Sequence, residues 1–253
     1  MMTPAQMIDF YEEQAASTAT WAEIHRRAEK WAPALHNYDH AAQSRLFRAL
    51  LGWRTGLLDP VPDLRQSVEV SEATVAFLDT TDVGPLRPMF DPVPGAYCAI
   101  LLGQRDSPVV VETRRLAVRP TPRGLTVDRA LEGWLIGALL GRDPGAGPEV
   151  ASGLASQKRM ALVGATYSTY FALAALSEGD GSAATDLTRH ALELFRRRRS
   201  NGYYSGGVQY EGGGPDNDLV VDYHLAAIWA VRGWDDSSLT PDERLHVRLP
   251  GHA

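Results

Sequence analysis

A chain of 253 residues, 44% hydrophobic and 22% charged, has the composition of an ordinary globular protein and the length for one large domain or two small ones. A net charge of −6 argues against a nucleic-acid partner, which needs a basic surface, and suits a basic protein instead. Cys98 is the single cysteine, so an intrachain disulfide is excluded and a reducing compartment is expected. No uninterrupted apolar window of about 18 residues offers a membrane span. MMTPAQMIDFYEEQ also lacks the basic start and apolar run of a secretory signal. A cytoplasmic chain with no membrane contact is the expectation.

In chain order the sequence reads as helices. Thr3, Pro4 and Gln6 form the start signal of the first, and Met7, Phe10, Tyr11 and Ala15 follow at helical spacing. Thr20 is placed to cap a second, with Trp21, Ile24, Ala28 and Trp31 as its apolar stripe and Pro33 as its end. Asp39 can cap a third helix that turns Leu46, Phe47, Leu50 and Trp53 inward, and a fourth spans about 63 to 78. Residues 81–95 hold most of a proline-rich run, TTDVGPLRPMFDPVPG, which reads as an exposed connection between a helical half at 1–80 and another at 96–253. Whether these halves are separate or one continuous domain is open.

Ala96 to Leu102 is apolar. VVVETRRLAV (109–118) is ambiguous: three valines favour a strand, whereas Val109, Glu112, Arg115 and Leu116 also fit a helix. Further helices are expected at about 126–140, 156–176 and from Ala184 into Arg196–Arg199, whose cations suit a helix C-terminus. The fold class is all-α, a two-layer array of about ten antiparallel helices built from α-hairpins in a solenoid-like manner. No fixed repeat period emerges.

The stretch from Ser200 to Trp234 carries the strongest local signal. Its opening is rich in glycine and tyrosine, with Tyr203, Tyr204 and Tyr210. Pro215 and Asp216 then begin an apolar helix that contains Asp218 and Asp222, four residues apart and so on one face. Charge on an otherwise buried helix needs a partner or a purpose. Asp216 and Asp218 can serve as first-turn caps, and Asp222 can pair with an arginine of a neighbouring helix. The functional reading is a binding face formed by Tyr203, Tyr204, Tyr210, Glu211, Asp216, Asp218, Asp222 and His224. Tyrosines on a glycine-rich loop have the composition of protein-binding surfaces. Asp222 and His224 could act as an acid–base pair, but two residues apart on a helix they would point to different sides.

Other chemistry is weakly signalled. His36 and His40 have the spacing of two zinc ligands on a helix, but an Asp39 cap would place His36 outside it, and no partner cluster follows. Asp79, Asp82, Asn217 and Asp218 lack the adjacent carboxylates of a magnesium-dependent isoprenoid cyclase. No phosphate-cradling loop, nucleophile elbow or dinucleotide fingerprint is present, and Cys98 sits in an apolar run. No metal, cofactor or catalytic residue is assigned.

Three stretches, ALEGWLIGALLGRDPG, ATYSTYFALAALSEGDGSAATDLTRHALELF and DYHLAAIWAVRGWDDSSL, resemble helical segments of bacterial polymorphic-toxin immunity proteins, particularly the immunity protein 49 family. They cover about a third of the chain. The resemblance implies a non-enzymatic protein that binds and neutralises a cognate toxin. The alternative is a small-molecule enzyme or ligand-binding helical domain with a pocket under the Gly/Tyr-rich loop 200–215.

Overall fold

The structure, a computed structural model, describes residues 3–116, 127–200 and 221–249. Among these residues every regular element is helical, and no strand occurs. The chain divides into two compact units, one of residues 1–115 with 120–125, the other of 116–119 with 126–253. The division therefore falls after residue 115, and the expected connection 81–95 lies inside the first unit.

The first unit begins with α1 (Pro4–Arg27), opened by the expected capping box: the Gln6 amide donates to Thr3 Oγ1 at 3.3 Å, and the Thr3 amide to Gln6 Oε1 at 2.8 Å. Thr20 does not start a second helix. It lies within α1, its hydroxyl donating to the Ala16 carbonyl at 2.9 Å. A short turn, with Glu29 at φ 55°, leads into α2 (Trp31–Thr55). Pro33 and Asp39, expected as terminator and cap, both lie inside α2. A proline in the first turn removes no amide that the helix would have used, which is why the helix passes through it. Asp39 accepts the Asp91 amide at 3.1 Å.

The unit continues with α3 (Val61–Thr80), a 3₁₀ turn at Gly84–Met89, α4 (Val93–Leu101) and α5 (Pro108–Arg115). The proline-rich run is packed and not simply exposed, because Val83 and Phe90 bury against Leu35, Val75 and Leu78. The ambiguous valines form helix α5, with Val109, Val110 and Glu112 buried. The buried carboxylates described in this unit, Asp63 and Glu112, are each met by arginines. Asp63 is buried on α3, where it accepts Arg45 Nη1 at 3.0 Å and Arg48 Nη1 at 2.5 Å, while Arg45 also grips Glu12 of α1 at 2.6 Å. Three helices are thereby tied at one charged node.

The second unit holds α6 (Val127–Leu139), α7 (Gly147–Ala155), α8 (Ala161–Ala175), α9 (Gly181–Ser200), α10 (Tyr223–Arg232) and the short α11 (Pro241–Arg244). Its core joins Leu131 and Leu135 of α6, Tyr167, Tyr170 and Leu173 of α8, Leu192 of α9, and Leu225, Ile228 and Trp229 of α10. The close approach of α7 to α8 depends on Gly164, since a Cβ there would fall 2.2 Å from the Ala155 backbone nitrogen. The helix carrying His224 begins at Tyr223, not near Asp216, with Asp222 in extended backbone before it. Among the described residues no helix is long and apolar enough to cross a membrane.

Candidate functional site

The start of α10 gathers the polar groups of the second unit. Asp222 caps this helix: Oδ1 accepts the amides of His224 at 3.1 Å and Leu225 at 3.3 Å, so two N–H groups that the first turn leaves unpaired are satisfied. Its other oxygen, Oδ2, accepts the Tyr170 hydroxyl from α8 at 2.7 Å. The Asp222 amide donates to His246 Nδ1 at 3.2 Å, which anchors the stretch after α11 to the same point. No arginine is part of this arrangement in the described contacts; the cation beside Asp222 is its near neighbour, His224.

His224 lies between two carboxylates. Nε2 is 2.8 Å from Glu132 Oε1 on α6, and Nδ1 is 3.5 Å from Asp222 Oδ1. The Tyr167 hydroxyl donates to the same Glu132 oxygen at 2.5 Å. The rings of Tyr170 and Tyr223 both stack on the imidazole, with centroids at 4.9 and 4.2 Å. Burial disfavours the charged ring, but Glu132 and Asp222, through charge and hydrogen bonding, outweigh it and push the His224 pKa up to about 9. Burial likewise works against the Asp222 carboxylate, yet His224, Tyr170 and the capped amides hold its pKa below the ordinary value. The state at neutral pH is an imidazolium clamped by carboxylates.

That arrangement suits holding more than proton transfer. A general base must offer an unprotonated nitrogen to a substrate within hydrogen-bond reach. Here both ring nitrogens face carboxylates, and Glu132, Tyr167, Tyr170, Asp222, His224 and His246 are all buried. Elsewhere, burial pushes the Cys98 thiol up to about 12, which removes it as a nucleophile near neutral pH. His36 and His40 do share one face of α2, with ring centroids 4.3 Å apart, contrary to the expectation that Asp39 would separate them. No group of three or more potential metal ligands occurs among the described residues.

Of the expected binding residues, Asp222 and His224 are brought together. Tyr203, Tyr204, Tyr210, Glu211, Asp216 and Asp218 lie outside the described residues. Sequence reasoning missed Glu132, Tyr167, Tyr170 and His246. A signal existed for the first three: Glu132 is the single charge in the apolar run from Ala130 to Leu140, and two tyrosines stand at i, i+3 in another helix. Compared with known proteins, the chain matches no family model, no curated protein and no solved structure.

Proposed function

We propose that this chain is a non-catalytic binding protein, an immunity protein of the immunity protein 49 kind that captures and neutralises a cognate, basic bacterial toxin in the cytoplasm. The observation that carries the reading is the buried Glu132–His224–Asp222–Tyr170 network. It commits the most reactive-looking groups of the second unit to one another, and it fixes the chain immediately after the Gly/Tyr-rich segment. The three stretches that carry the family resemblance also supply this network, Glu132 from the first, Tyr167 and Tyr170 from the second, Asp222 and His224 from the third.

In this reading Asp222 and His224 anchor the binding face from within, and Tyr203, Tyr204, Tyr210, Glu211, Asp216 and Asp218 make the contacts. Acidic groups would steer a basic toxin, and tyrosines would supply contact area. The test asks whether a toxin-like protein is encoded immediately upstream of this chain and then co-expresses the two. The parent chain should restore growth and co-purify with the toxin, and a Tyr203→Ala, Tyr204→Ala, Tyr210→Ala variant should lose protection at unchanged melting temperature. A chain that fails to protect, or a triple variant that protects as well as the parent, refutes the reading.

A further inference from the structure

Helix α1 exposes a second apolar stripe beside the one it buries. Met7, Tyr11, Ala15 and Ala22 are buried. At 100° per residue, Phe10, Gln14, Ser17, Trp21, Ile24 and the C-cap residue Ala28 form another line, about 120° round the helix. All six are exposed, and Trp21, at 52%, and Ile24, at 47%, are the most exposed large apolar side chains of α1. The spacing alternates between four and three residues, the pattern of a helix seam that packs against another helix.

The seam is complementary to itself when reversed. In an antiparallel pair that sets Ser17 opposite Trp21, Phe10 falls opposite Ala28 and Gln14 opposite Ile24, so each large side chain meets a smaller or flexible one. The same register brings Glu13, on the flank, beside Arg27 of the other copy, and the two-fold axis makes that pair twice. The Glu13 side chain has no hydrogen bond or ion pair among the described residues, and both it and Arg27 are exposed. A parallel pair would set Trp21 on Trp21 and turn Glu13 toward Thr18, without charge pairing. We propose that α1 is a self-association surface whose occupant is the α1 helix of a second copy of this chain, antiparallel, with Trp21 at its centre, Ile24 packed on Gln14 of the other copy, and Glu13–Arg27 pairs at its edges. This surface is independent of the toxin-binding reading.

A helix of 24 residues is about 36 Å long, and one pair of this length makes a contact near the lower limit of specific interfaces, about 1,000 Å². The association is therefore concentration-dependent. Sedimentation of the full chain between about 1 µM and 1 mM should show a monomer–dimer equilibrium. Trp21→Arg should raise the dissociation constant at least tenfold at an unchanged melting temperature, because the side chain is exposed. Glu13→Arg or Arg27→Glu alone should weaken the dimer, and the double exchange should restore it.

Orientation is read by cysteine pairing, with Cys98 buried and out of reach. A mixture of Gln14→Cys and Ile24→Cys chains should cross-link between the two variants faster than either cross-links with itself. A chain that stays monomeric at about 1 mM, a dimer indifferent to Trp21→Arg, or preferential Gln14→Cys self-pairing overturns the proposal. So does a monomeric chain whose complex with a different protein is lost in Trp21→Arg.

Discussion

Replacing Asp222 with alanine removes three supports at once, and each has a magnitude. Loss of the cap on α10 costs about 1 kcal/mol. The buried Tyr170 hydroxyl loses its acceptor, worth about 1–3 kcal/mol. His224 keeps Glu132 but loses its second counter-charge, which brings the total to about 3–5 kcal/mol, the range for breaking a buried ion pair. Asp222→Asn keeps one oxygen to accept the capped amides and sets its NH2 against Tyr170, whose hydroxyl can turn to accept, so it should cost less than alanine, about 1–2 kcal/mol.

The two variants also differ from the parent in pH dependence. Because His224 titrates at about 9 in the fold against 6.5 ordinarily, its stabilisation is complete below pH 6.5 and is lost as pH rises through about 9. At about 1.4 kcal/mol per pH unit the loss is at most roughly 3.5 kcal/mol. Asp222 has the opposite sign: its contribution is present above 3.8 and is lost as pH falls below that value. With one carboxylate gone, Asp222→Asn should begin its alkaline loss at lower pH than the parent. Urea unfolding followed by tryptophan fluorescence, run from pH 5 to about 9.5, measures the alkaline loss in the parent and its displacement in the variant. Trp229 and Trp234 report from the core of the same unit. An Asp222→Ala chain as stable as the parent, or a parent whose stability is flat through about pH 9, would refute the clamped imidazolium.

Three other predictions use separate parts of the fold. Gly164→Ala pushes a methyl group to 2.2 Å from the Ala155 backbone nitrogen and should cost about 3 kcal/mol, whereas Gly153→Ala, with open space around its Cβ, should be neutral or stabilising; thermal melting compares the two. Asp63→Ala leaves Arg45 and Arg48 facing each other without their shared buried anion and should lower stability by about 3 kcal/mol, more than Glu12→Ala, whose carboxylate is half exposed; chemical denaturation distinguishes them. Cys98 should remain unreactive toward a thiol reagent in the folded chain at pH 8 and react fully in denaturant, as followed by mass spectrometry; rapid labelling of the folded chain would refute its buried placement.

What the sequence revealed depended on whether the deciding physics was local. The capping box at Thr3, the inward Leu46, Leu50 and Trp53, and the helical class follow from neighbours three or four residues apart, and these expectations match the structure. The Trp21–Ile24–Ala28 stripe was legible too, but its direction was not. Periodicity detects an apolar line without saying what covers it. With two such lines on α1, the one containing the small residues Ala15 and Ala22 is the one buried. Pro33 misled because proline stops a helix only beyond the first turn, and the start of α2 was placed too late.

Asp222 shows the limit most clearly. Its oddity as a charge beside an apolar run was visible, but its partners Tyr170 and Glu132-bound His224 are joined by contacts of long sequence separation, 52 residues for Tyr170–Asp222 and 92 for Glu132–His224. A helix assumed to begin near Asp216 would also have turned Asp222 and His224 to different sides. The actual start at Tyr223 leaves Asp222 in extended backbone, where one oxygen folds over the first turn to cap it and approach His224, and the other is left for Tyr170. A shift of one helix boundary by about two turns thus separates two unrelated acidic residues from one clamped imidazolium. That boundary is fixed by tertiary contacts, since the local sequence offers Asp216, Asp218 and Asp222 alike as caps.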